Sequence, residues 1–127
     1  MLPLGLADKV RSCLQKSGLQ FSEVRGDSFM LLFPVEGGVA LTLVACGGRN
    51  VEIYTARRPP LRSRGPEDDR WLLAKNGAMS FAKFAVDEEG EVITCAEIGE
   101  AWVNEESVKM LILATVVMLN EYAERIS

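Results

Sequence analysis

Ser80–Ile98, read through Phe81-Ala82-Lys83-Phe84-Ala85-Val86, Asp87-Glu88-Glu89-Gly90-Glu91 and Val92-Ile93-Thr94-Cys95-Ala96, runs almost directly into Glu105–Ile126. The first part alternates apolar and polar positions around an acidic, glycine-containing turn, which predicts a β-hairpin with strands over 80–86 and 91–98. Phe84 and Val86 are placed on one face. In the second strand Val92, Thr94 and Ala96 alternate against Ile93 and Cys95. The second part predicts one long helix, with Asn104 as its cap and Glu105 and Glu106 in its first turn. Its centre, Met110-Leu-Ile-Leu-Ala-Thr-Val-Val-Met-Leu119, is apolar on nearly every side. A helix of this kind must be covered on more than one face. Either the sheet and another helix cover it entirely, or Val108, Leu111, Ile112, Thr115 and Leu119 face the sheet while Met110, Leu113, Val117 and Trp102 meet a partner. The second reading makes those four a partner or dimer interface; Met118 fits either set.

Working outward, Leu6–Ser17 predicts an amphipathic helix that caps the sheet, stopped by Gly18. Leu19–Val24 and Ser28–Val35 read as strands joined by Arg25-Gly26-Asp27, followed by Val39–Cys46 and Val51–Ala56 with glycine turns between them. The segment Arg57-Arg-Pro-Pro-Leu-Arg-Ser-Arg-Gly-Pro66 cannot continue a central strand, because its three prolines remove backbone donors, and an exposed, mobile loop is expected. Glu67-Asp68-Asp69 suit a helix start, with Trp71, Leu72, Leu73 and Met79 as the apolar side of a short helix ending near Asn76-Gly77. The fold class is therefore α+β: an N-terminal helix, an antiparallel sheet of five to six strands, a short middle helix and a long C-terminal helix packed on the sheet.

Whole-chain properties bound the function. With 127 residues, 48% apolar and 25% charged, the chain is expected to form one folded domain over 1–127. Net charge is -4, which argues against a dedicated nucleic-acid binder. The charge is segregated: Asp87 to Glu106 holds eight carboxylates and no Lys or Arg, while Arg57, Arg58, Arg62 and Arg64 crowd one stretch. That basic stretch could meet a nucleic-acid backbone, an acidic protein, or the acidic 87–106 region itself, and it has no aromatic residue to stack on a base. Cys13, Cys46 and Cys95 have no metal or disulfide spacing and read as reduced, buried thiols. The N-terminal Met1-Leu-Pro-Leu-Gly-Leu does not resemble a signal peptide and the apolar run 110–119 is too short to span a membrane, so a cytoplasmic location is expected.

The chain contains no histidine, the commonest general base and metal ligand, so a non-enzymatic role is expected. No cofactor is expected, because the Gly37-Gly38 and Gly47-Gly48 turns lack the lysine of a phosphate-binding loop. Asp87, Glu88, Glu89 and Glu91 could bind a hard cation such as calcium, although their spacing is not that of an EF-hand loop, and a solvated hairpin turn explains them equally well. This leaves an acidic calcium-binding or sensory regulatory protein as the alternative function.

The order helix, four strands, short helix, hairpin, long helix resembles the YbjN-like family, which is similar in fold to the type III secretion chaperones. The segments that carry the resemblance are Leu72-Leu73-Ala74-Lys75-Asn76, the strand Phe81–Val86, the acidic turn, the strand Val92–Ile98 and the terminal helix. The Arg/Pro-rich loop 57–66 departs from the pattern by being longer and more basic. The resemblance implies a non-enzymatic, chaperone-like module that pairs with itself and binds a peptide or protein partner.

Overall fold

The computed structural model describes residues 5–78 and 81–127. The leader reading of the first residues, Met79 as a helix-face residue and Ser80 as a strand start lie outside the described residues. The chain runs α1 (Leu6–Ser17), β1 (Ser22–Val24), β2 (Ser28–Val35), β3 (Gly38–Gly47), β4 (Asn50–Arg58), α2 (Pro66–Ala78), β5 (Ala82–Val86), β6 (Val92–Gly99) and α3 (Glu105–Ile126). A short 3-10 turn, Glu100–Trp102, precedes α3. The strands form one antiparallel sheet ordered β1-β2-β3-β4-β6-β5.

Local chemistry explains most boundaries. Gly18, at φ 78°, closes α1 in the left-handed conformation that glycine adopts without penalty. Asn104 starts α3 through a reciprocal box: its side chain accepts from the Ser107 N–H at 2.8 Å, and the Ser107 hydroxyl accepts from the Asn104 N–H at 3.1 Å. At the β2–β3 turn only glycine fits at position 38, since a Cβ there would lie 2.1 Å from the Arg58 carbonyl oxygen on β4.

All three helices cover one face of the sheet. α3 packs across β3, β4, β5 and β6, with α1 against one flank and α2 over β5. Alternate strand residues, Phe29 and Leu31 on β2, Val44 on β3, Val51 and Ile53 on β4, and Val92, Ala96 and Ile98 on β6, meet Val108, Leu111, Ile112, Met118 and Leu119 of α3 in the core. A threonine seam crosses it: Thr42 and Thr55 hydroxyls lie 2.7 Å apart, Thr55 and Thr115 2.8 Å, and Thr94 donates to the Thr115 carbonyl at 2.8 Å. Buried hydroxyls are affordable only when bonded, and here each has a partner. At the far end Trp71, Phe84 and Tyr122 form an aromatic cluster with centroid separations of 5.7–6.3 Å.

Several expectations need correction. α1 rests mainly on α3 and touches the sheet chiefly at β3, because the long helix already occupies the sheet's centre. The strand expected over 19–24 is reduced to Ser22–Val24, while Leu19 and Phe21 pack on the core as half-buried side chains. Leu73 is exposed, since Trp71 and Leu72 suffice to seat α2. Val86 lies past the edge of the core and is exposed too. The three thiols are free, but only Cys13 is fully buried.

The largest correction concerns the Arg/Pro stretch. Arg57 and Arg58 complete β4, and the stretch that follows is tied to the acidic turn. The Val92 N–H donates to the Leu61 carbonyl at 2.8 Å, Arg62 donates to the Glu89 carbonyl at 2.6 Å, and Arg58 pairs with Glu91 at 2.7 Å. Proline prevents this segment from extending the ladder, yet opposite charges and a few backbone bonds still fix it.

Candidate interaction surfaces

α3 has two faces of different character. Val108, Leu111, Ile112, Thr115, Val116, Met118, Leu119 and Tyr122 are buried. Met110 and Leu113, three residues apart, and Val117, four further on, share one stripe pointing away from the sheet. They are 50%, 37% and 64% exposed, and Trp102 just before the helix is 74% exposed. All four residues singled out in the sequence are thus at the surface. Fixed charges frame the stripe: Lys109 donates to the Ser17 carbonyl on α1 at 3.3 Å, and Glu121 pairs with Lys75 on α2 at 2.6 Å.

The sheet offers a second apolar surface, whose residues were not singled out in the sequence. The sheet has helices on one face only, and its other face carries a cross-strand row Met30–Leu43–Tyr54–Cys95, with Leu32–Leu41–Ala56 beside it. Leu32 is 60% exposed, and Met30 and Tyr54 are exposed as well. Gln15, Leu19 and Phe21 join Met30 and Leu32 around a shallow cleft of about 650 Å³ where α1 meets the sheet edge. The available signal was in β2 and β3. Phe29-Met-Leu-Leu-Phe33 and Leu43-Val-Ala-Cys46 are apolar at consecutive positions, so both faces of these strands had to be apolar, beyond what a single core requires. Single exposed apolar residues are ordinary, but contiguous ones mark binding surfaces.

The face is polar at one end. Tyr54 donates to Glu52 at 2.6 Å, and this bond, with burial and the Glu52 charge, pushes its phenol up to about 12. Burial likewise raises the thiol of Cys95, which lies across from Tyr54. Neither group ionises near neutral pH, so the row behaves as an apolar strip with a hydroxyl at its rim.

The acidic turn has a structural job. Asp87 Oδ1 accepts from the backbone N–H groups of Glu89 and Glu91, both at 2.9 Å. Glu91 is paired with Arg58, whereas the residues Glu88 and Glu89 are exposed. Among the described residues no group of three or more Cys, Asp or Glu side chains could hold a metal ion. Among the same residues no helix is long and apolar enough to cross a membrane.

No protein-family model matches the chain. No curated protein matches it in sequence. Solved structures do match in shape. YbjN from E. coli superposes with a TM-score of 0.68 at 17% identity, covering 94% of this chain and 88% of that one. The fold is YbjN-like. A chain of the HopA1–SchA chaperone–effector complex gives 0.69 at 10% identity, over 96% of this chain and 99% of that one. The structure of the Yersinia pestis type III secretion chaperone SycH with a stable fragment of YscM2 gives 0.63 at 11% identity, over 97% and 100%. The YbjN-like fold is therefore shared with type III secretion chaperones, and several of the matching structures are complexes with a second protein.

Proposed function

We propose that this chain is a non-enzymatic, chaperone-like module that works as a homodimer and binds a segment of another protein. The observation that carries this reading is the presence of two uncovered apolar surfaces on opposite sides of one sheet: the α3 stripe of Trp102, Met110, Leu113 and Val117, and the open sheet face around Met30, Leu32 and Tyr54. The α3 stripe meets a second copy. A straight helix stripe is self-complementary about a two-fold axis, and methionine adapts to an imperfect match. The open face, with the cleft at its edge, takes an extended apolar segment of the partner. The HopA1–SchA chaperone–effector complex and the complex of SycH with a fragment of YscM2, both similar in fold, support binding of a protein partner. Catalysis is disfavoured by the lack of histidine and by the shallow character of these surfaces.

Solution mass by light scattering tests the pairing. The wild-type chain is expected to run at twice 14.0 kDa, and Val117→Asp, which buries a charge in the interface, at the monomer mass with an unchanged circular dichroism spectrum. A wild-type monomer at high micromolar concentration would sink the α3 assignment.

A further inference from the structure

We propose a separate site, a cleft at the C-terminal end of α3 in which Arg57 binds a carboxylate carried between apolar side chains of a peptide. Arg57, at the end of β4, is only 7% exposed. Its Nη2 donates to the Glu36 carbonyl at 2.6 Å and its Nη1 holds a long bond of 3.4 Å to Asn120 Oδ1, while the buried Nε has no partner. Arg57 is the one buried arginine among the described residues, and it has no carboxylate partner, whereas Arg11, Arg58, Arg64 and Arg125 each hold one. A guanidinium taken out of water without a counter-charge is costly, and its donor fork is shaped for a carboxylate.

Space for one exists. A cleft of about 570 Å³ is lined by Arg57 together with Pro34, Leu61, Ala123 and Ile126. Its apolar walls and single cationic donor suit an acidic side chain with aliphatic neighbours better than a free inorganic anion. Glu36 and Glu124 also line the cleft and oppose an incoming anion, so the site favours ligands whose apolar contacts outweigh that repulsion. The choice of a peptide rests on the protein-binding reading above; the preference for a carboxylate does not.

The test is a titration of the full chain, followed by amide chemical shifts, with a blocked tetrapeptide carrying Glu between leucines and with its Gln isostere. The Glu peptide is expected to bind about tenfold more tightly, as a charge-assisted bond to a buried donor should, with shifts centred on Gly37, Asn120 and Ala123. Arg57→Met keeps the aliphatic stem and should abolish the difference. Should that variant fail to fold, Ala123→Trp fills the cleft from its wall and should abolish binding there. Glu124→Gln should tighten the Glu peptide about twofold, the size of an exposed charge effect. Equal binding of the two peptides, or a Glu preference that survives a folded variant, overturns the proposal. Equal affinity for free 4-phenylbutyrate overturns the peptide source. A monomeric wild type that still prefers the Glu peptide would refute the dimer and leave this site standing, whereas a dimer without that preference would refute this site alone.

Discussion

The carboxamide of Asn76 grips Phe84 at both of its backbone groups, accepting from the N–H at 2.7 Å and donating to the carbonyl at 2.9 Å. β5 is one of the two outer strands of the sheet, so these are groups a further strand would otherwise use. A side chain at the end of α2 thus closes the edge at its centre, one of the ways a sheet avoids pairing with another chain. Asn76→Leu is expected to cost about 1–3 kcal/mol in urea unfolding, the range for leaving backbone groups unpaired, and to raise concentration-dependent light scattering. Unaltered stability and scattering would show that the edge needs no such closure.

The threonine seam makes Thr55 the bridge between Thr42 and Thr115. Thr115 retains a bond to the Ile112 carbonyl at 2.7 Å, so Thr55→Val leaves Thr42 the more exposed to loss. Thr55→Val should destabilise by about 1–3 kcal/mol, and adding Thr42→Val should recover part of that, because replacing both partners by apolar groups removes the unpaired hydroxyl. A double-mutant cycle in urea checks it; strict additivity would contradict the pairing.

Tyr122 and Asp68 couple stability to pH at both extremes. The Tyr122 hydroxyl donates to the Arg62 carbonyl at 2.9 Å and to Asp68 at 3.3 Å; burial first, then the Asp68 charge, push the phenol up to about 12. The folded state therefore favours neutral tyrosine, and this contribution is intact below about pH 10 and lost as pH climbs toward about 12. Asp68 shifts the other way. The Arg64 N–H, then the Tyr122 hydroxyl and the charges of Arg64 and Arg125, hold its carboxyl low against an opposing effect of burial, so its contribution is present above about pH 4 and lost as pH falls further. Tyr122→Phe should flatten the alkaline limb of a melting-temperature profile, and Asp68→Asn the acid limb. A profile unchanged by either substitution would refute the coupling.

The Asp87 turn is already satisfied by backbone N–H groups, and Glu91 by Arg58. Added calcium at millimolar concentration is expected to move the melting temperature by less than about 1 °C, since a ligand stabilises only by binding the native state. A rise of several degrees would support the calcium-binding alternative.

Element order and type were legible because periodicity and caps act locally. β2 and α3 begin and end where alternation, Asn104 and the final apolar run place them, and Gly18 stops α1 as its position suggests. The exposed stripe of Met110, Leu113 and Val117 was legible for the same reason, since a helix apolar all round must have an outer face. Arg57 was misread because its charge and the following prolines are loop signals, while its burial depends on Glu36 and Asn120, which lie 21 and 63 positions away.

By itself, then, the sequence determined the run of helices and strands, the turn chemistry and the existence of an outer face on α3, all of which follow from side-chain spacing and backbone preference over a few residues. Only the tertiary structure decided which strand residues the uncovered side of the sheet presents, Met30, Leu32 and Tyr54 among them, and that of the partners open to the Arg/Pro stretch it takes the acidic turn of its own chain. Both depend on which distant segments meet, and no local periodicity encodes that.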